Sequence, residues 1–251
     1  MQSHGLSAWI VPSSDPHLSE YLPERWQGRQ WLSGFTGSVG TLVVTAQFAG
    51  VWVDSRYWLQ AEVELDGTGI TPMKVSANAG VAFVDWLATS CSRGDQVGVD
   101  GQVLALTVVR MLQDALAPCG ASLRLDLDLL EEVWPQRPGL PRVPVFEQQQ
   151  RYAPVPRSAK LSQLRDSMQK ARAGWHLIST LDDIAWLLNL RGSDVPYNPV
   201  FVAHLLVGPD SATLFVMDGK VPPELQARLA ADGVTLAAYH DLGAHLAQIP
   251  T

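Results

Sequence analysis

Short, nearly continuous apolar runs alternate along this chain with longer stretches whose apolar residues recur every three or four positions. That is the pattern of strands mixed with helices. "LSAWIVP" (6–12) predicts a strand closed by proline, and "GTLVVTAQFAGVWVDSRY" (40–57) predicts two strands around a short turn, a β-hairpin. "DPHLSEYLPERWQGRQWLSG" (15–34) sets Leu18, Tyr21 and Leu22 at helical spacing. Asp15 is placed to cap that helix and Pro16 to take its first position. "NAGVAFVDWLATSC" (78–91) gathers Val81, Val84, Trp86 and Leu87 on one helical face. "QVGVD" (96–100) reads as a strand, "LTVVRMLQDALAPCG" (106–120) as a helix closed by Pro118 and Gly120, and "SLRLDLDLLEEVW" (122–134) as a strand and a helical turn. The stretch 134–156 holds six prolines and follows no period, which marks a linker or wrapping segment. A strongly helical run, "SAKLSQLRDSMQKARAG" (158–174), follows, with Leu161, Leu164 and Met168 as its apolar positions.

The second half then echoes the first. "MQSHGLSAWIVPSSDPHLSEYL" aligns at an offset of 166 or 167 with "MQKARAGWHLISTLDDIAWLL". "LVVTAQFAGVWVD" and "LLVGPDSATLFVMD" match as the same hairpin, ending at Asp54 and Asp218. The expected architecture is α/β: two related domains, about 1–155 and 156–251, each a mixed sheet with a hairpin and flanking helices. The second unit has a full helix before its first strand where the first has "MQSH", and the chain ends soon after the second hairpin. Both ends are therefore expected to be cut from something longer.

Composition narrows the function classes. Hydrophobic residues are 47% and charged residues 17%, enough apolar surface for a core. The net charge of −7 and the scatter of basic residues argue against a nucleic-acid partner. The apolar runs are strand-length, too short to cross a membrane, and the N-terminus lacks the features of a signal peptide, so a cytoplasmic location is expected. Cys91 and Cys119 fall outside metal or redox spacing.

Candidate chemistry is sparse. His240 and His245 are five apart, not the i, i+4 spacing of a helical zinc pair, and read as surface histidines. Asp182 with Asp183 stands where a helix N-terminus is expected, which complements the helix dipole, and Glu131 with Glu132 forms a second acidic pair. "GFTGSVG" (34–40) precedes a strand, fits no nucleotide-binding loop, and reads as a tight turn with close backbone approach. Arg56 stands apart. It follows a buried strand between Asp54 and two aromatic residues. Its forked donors can grip a carboxylate or carbonyl of a ligand, or can close an internal ion pair with Asp54 or another acid.

At these residues the sequence resembles a known family. "AWIVPSSDPHLSEYLP", "WLSGFTGSVGTLVVT", "VWVDSRYWLQAE" and "LDDIAWLLNLRGSDVPYNPVF" stand in the order found in the N-terminal half of long, three-domain Xaa-Pro aminopeptidases (aminopeptidase P). The resemblance implies two creatinase N-terminal-like domains followed by a C-terminal pita-bread catalytic domain. That last domain binds two divalent metal ions, usually manganese, through two aspartates, a histidine and two glutamates. No acid or histidine of this chain matches those ligands, so the chain itself is expected to hold no metal and to be inactive alone. The family's substrates are peptides with proline second, and its members are often dimers. The family's strand-end motif Asp-Gly-Arg-Tyr-Phe-Leu-Gln-Ala carries an arginine that contacts bound peptide. Here it reads Asp54-Ser55-Arg56-Tyr57-Trp58-Leu59-Gln60-Ala61, so Arg56 is matched, with departures at Ser55 and Trp58. The reading from another class is a stand-alone binding or regulatory module on the same fold.

Overall fold

The computed structural model describes residues 1–76 and 81–249, which divide into two compact units, Met1–Pro138 and Gly139–Thr251. The division falls inside the proline-rich stretch, at its start rather than at 155/156. Residues 139–155 join the second unit because their backbone and side chains bond within it. Val145 N donates to Lys220 O at 2.9 Å, and Phe146–Glu147 pairs with Leu190–Arg191.

In the first unit the strands are β1 (Ala8–Pro12), β2 (Thr41–Thr45), β3 (Ala49–Val53), β4 (Thr71–Lys74), β5 (Gln96–Val99) and β6 (Ser122–Arg124). The helices are α1 (Gly28–Ser33), α2 (Trp58–Glu64), α3 (Ala82–Ser90), α4 (Leu106–Leu116) and α5 (Leu129–Val133). The strands form one sheet in the order β4-β3-β2-β1-β5-β6, with β2 antiparallel to both neighbours and the other pairs parallel. Side chains alternate across such a sheet. Ala8, Ile10, Val43 and Trp52 pack on one face with Phe83 and Leu87 of α3 and Leu112 and Leu116 of α4. Trp9, Val11, Leu42, Val51 and Val53 pack on the other with Phe35, Ala61 of α2 and Leu129 of α5. Both faces are covered, and so the strands read as unbroken apolar runs instead of alternating ones.

The second unit contains β7 (Phe146–Glu147), β8 (His176–Ile178), β9 (Leu190–Arg191), β10 (Ala203–Val207), β11 (Ala212–Val216) and β12 (Val234–Ala238). Its helices are α6 (Arg157–Lys170), α7 (Leu181–Leu188), α8 (Pro223–Ala231) and α9 (Leu242–Leu246). Its main sheet runs β12-β11-β10-β8, with β7-β9 as a separate pair. The strand senses of β8, β10, β11 and β12 repeat those of β1, β2, β3 and β4: antiparallel, antiparallel, parallel. The repeat seen in the sequence is thus a repeat of topology. The second unit also continues past its hairpin into α8 and β12, further than the sequence suggested.

The helix expected from Asp15 through Leu22 does not form. Asp15 Oδ1 instead accepts the backbone N–H of His17 at 2.9 Å and of Ser19 at 3.0 Å, closing a turn. Leu18 takes the left-handed conformation (φ 54°), which a helix cannot contain. Regular helix begins only at α1. The helix expected at 78–91 is found as α3 from Ala82, and residues 78–80 of that expectation lie outside the described residues.

Candidate functional site

β3 ends at Val53, and Asp54 turns the chain. Its extended backbone and its Oδ1, which accepts the backbone N–H of Arg56 at 3.0 Å, cap a single turn over Ser55–Tyr57 that leads into α2. The same carboxylate is gripped by the Arg56 side chain. Nε donates to Oδ1 at 3.0 Å and Nη2 to Oδ2 at 2.7 Å, a two-point fork. The internal ion pair that the sequence left open is therefore present. It is not buried: the Arg56 side chain is 65% exposed. Nη1 of Arg56 carries no hydrogen bond among the described residues. The side-chain hydrogen bond from Arg56 holds the Asp54 carboxyl below the ordinary carboxylate range, and Asp54, with a smaller pull from Glu20, raises the Arg56 guanidinium.

Beneath Arg56 two aromatic rings stand between two cations. The Arg56 guanidinium stands 5.3 Å from the Tyr57 ring, and Tyr57 meets Phe35 edge to face at 6.0 Å. Phe35 in turn lies 4.8 Å from the guanidinium of Arg29. Arg29 is 5% exposed, and its described partners are uncharged. Nε donates to Ser13 Oγ at 2.7 Å, Nη1 to Phe35 O at 2.8 Å, and Nη2 to Gly37 O. Burial pushes its pKa down to about 10, against the pull of Glu64 and Tyr57. These bonds pin the 34–40 loop. Gly34 is left-handed (φ 75°) and ends α1, and a Cβ on Gly37 would collide with Phe35 and lie 2.8 Å from Tyr57 Cδ1. The loop returns the hold through Ser38, whose hydroxyl meets the Tyr57 hydroxyl at 2.7 Å. Sequence reading missed Arg29 and Ser38. The signal for Arg29 was an arginine on the helix that runs directly into a glycine-rich turn.

The two departures from the family motif have different physical consequences. Ser55 does not take a positive φ, so the turn does not require the family's glycine. Trp58 packs on the core beside Tyr57, but its Nε1–H is buried without an acceptor, a cost that phenylalanine would not carry.

The other candidates each have local settings of their own. Asp182 and Asp183 are exposed in the first turn of α7. Glu131 pairs with Arg25 and Arg137, and Glu132 with His4. His240 is exposed, and His245 Nδ1 lies 3.0 Å from Asp241 O. His204 is buried, 2.8 Å from Ser179 Oγ. Cys91 and Cys119 are unbridged. Among the described residues no group of three or more histidines, cysteines or acids is placed to hold a metal ion, and no helix is long and apolar enough to cross a membrane.

Comparison with known proteins places these features in a family. Two family descriptions, both of the creatinase/prolidase N-terminal domain, match residues 1–127 and 136–251. Aminopeptidase P2 of Arabidopsis thaliana is 38% identical over 95% of this chain, which spans 34% of that protein. The crystal structure of X-prolyl aminopeptidase from Caenorhabditis elegans, described as a cytosolic enzyme with a di-nuclear active site, superposes with a TM-score of 0.90 at 30% identity. It covers 96% of this chain and 39% of its own. The chain thus spans little more than a third of these relatives. With both halves matched and the same strand order in each, the chain belongs to the creatinase/prolidase N-terminal domain family, which it contains twice.

Proposed function

We propose that this chain is the non-catalytic N-terminal part of a cytosolic, metal-dependent Xaa-Pro aminopeptidase, and that Arg56 binds its peptide substrate. The whole protein would release the first residue from peptides with proline second. The observation that carries this reading is the agreement with the Caenorhabditis elegans enzyme over nearly the whole chain. Two divalent metal ions, manganese in the resemblance, would be held by a further C-terminal domain. The residues described here do not fit that role.

Arg56 suits a peptide carbonyl or carboxylate. Asp54 fixes one edge of the guanidinium and the Tyr57 ring supports its plane, so the free Nη1 edge is aimed at solvent with little rotamer freedom left to lose. The fork to Asp54 orients the group without consuming it.

The test begins with the gene downstream of residue 251, where two aspartates, a histidine and two glutamates are expected. The protein with that part should cleave Xaa-Pro peptides when manganese is supplied, and this chain alone should not. Arg56→Ala should raise KM about tenfold with a smaller change in kcat. An unchanged KM removes Arg56 from the substrate site. No Xaa-Pro cleavage by the whole protein removes the enzyme reading.

A further inference from the structure

The first sheet changes direction beside β1. The chain leaves β1 for β2, β3 and β4 on one side, then returns to β5 on the other and moves out to β6. The connections from the carboxyl ends of β1 and β5 therefore diverge, and in open α/β sheets the crevice at such a switch point is where ligands bind. A cleft of about 260 Å³ opens here, lined by the segments after β1 and β5 and by the end of the 34–40 loop. Its surface is mainly apolar, with Leu18, Val39, Leu104 and Val108 among its walls, and Glu20 is the one ionisable residue among its described lining.

Leu18 is the unusual wall. Its backbone is left-handed (φ 54°), a conformation costly for leucine, and its side chain is 62% exposed. The Asp15 turn holds it there, so the strain serves to present an apolar side chain at the cleft mouth and not to bury it. The cleft is linked to Arg56 through Tyr57. Ser38 lines it and bonds the Tyr57 hydroxyl, the ring of which supports Arg56, while Glu20 on its lip acts electrostatically on the same guanidinium.

We propose that this cleft is a subsite for an apolar, uncharged side chain of the bound peptide, on a residue downstream of the proline. The inference rests on the reading of Arg56 as the peptide-binding group. A peptide held there passes the Tyr57–Ser38 pair and reaches the cleft, where Leu18 covers its side chain and Glu20 repels an acid.

The test compares peptides Xaa-Pro-Ala-Ala-Leu and Xaa-Pro-Ala-Ala-Asp, with the leucine or aspartate also moved to the third and fourth positions. In the whole protein one leucine position should give a KM about tenfold below its aspartate counterpart. Leu18→Asn should shrink that ratio by raising the KM of the leucine peptide, with the repulsion from Glu20 left in place. Leu18→Gly, which relieves the left-handed strain while removing the side chain, should do the same. A methyl-labelled leucine NMR titration reads the site without any turnover: the Leu18 and Leu104 methyl signals should move with the leucine peptide and stay with the aspartate peptide. An unchanged ratio in the Leu18 variants, or methyl signals that never move, overturns the subsite. If Arg56→Ala raises KM while these outcomes occur, the Arg56 reading survives and the cleft alone is refuted. If Arg56→Ala has no effect, the Arg56 reading fails, and the methyl titration still decides the cleft.

Discussion

The two units place a cation at matching points of their repeated sheets and give it opposite surroundings. After β3 comes Asp54-Ser55-Arg56, and after β11 comes Asp218-Gly219-Lys220. Arg56 lies 65% exposed on its own strand-end aspartate. Lys220 is fully buried, as is its partner Asp194. Its Nζ donates to both Asp194 oxygens at 2.6 Å and to Pro141 O at 2.7 Å, and Asp194 Oδ2 also accepts Val202 N–H at 2.7 Å. The difference comes from what closes over the strand end. In the second unit the chain at 139–145 crosses Lys220 and bonds it through Pro141 and Val145. In the first unit Asp54 binds sideways and leaves one edge of the guanidinium open. One scaffold position is an internal clamp in one copy and an exposed, half-engaged guanidinium in the other.

The sharpest way to break this comparison is to remove each cation in turn. Lys220→Met should cost about 3–5 kcal/mol in urea unfolding, because Asp194 would be left buried and charged. Adding Asp194→Leu should recover part of that loss, since the uncompensated charge goes with it. Arg56→Met should shift the unfolding midpoint only slightly, as expected of an exposed pair. Equal losses at the two positions would mean that the exposed fork is as structural as the buried clamp.

Arg29 comes next in expected size. Arg29→Met removes the donors that hold Phe35 O and Gly37 O and should cost about 1–3 kcal/mol. Arg29→Lys should restore only part, because a single ammonium cannot span three acceptors set in a fork. A methionine variant as stable as the parent, with the Tyr57 ring unmoved by NMR, would show that the rings beneath Arg56 stand without Arg29.

Much of this fold was written in local pattern. The hairpins, α4 with its proline and glycine stop, and the topological repeat all follow from periodicity and turn chemistry in neighbouring residues. The failures were nonlocal. Asp15 and Pro16 are good helix starters, yet the Asp15 carboxylate turned back on the His17 and Ser19 amides, and Leu18 adopted a conformation no propensity favours. The boundary moved to 138/139 because residues far along the chain, Lys220 and Leu190, capture the proline-rich segment. At the site, Arg56 was visible as a motif and its tie to Asp54 as a neighbour pair. Arg29 was not, because its role depends on carbonyls presented by a loop whose shape the sequence does not spell out.

The smallest effect separates the two aspartates by the sign of their response to acid. Hydrogen bonds from Arg56 lower the Asp54 pKa below its ordinary value of 3.8. The unfolded chain therefore takes up this proton first as pH falls, so the Asp54 contribution is complete above the ordinary carboxylate range and is lost through the lowered pKa. Asp194 goes the other way. Burial raises its pKa, against the opposing pull of Lys220 and Val202, so the folded chain takes up the proton first and this contribution weakens as pH rises. A carbon-detected NMR titration of the aspartate carboxyls should find Asp54 titrating below the ordinary range and Asp194 above it. Asp54→Asn should correspondingly flatten the acid limb of the stability curve by a small amount, as expected of an exposed pair. If both carboxyls titrate together, the surroundings of the two strand-end cations differ in appearance and not in electrostatic consequence.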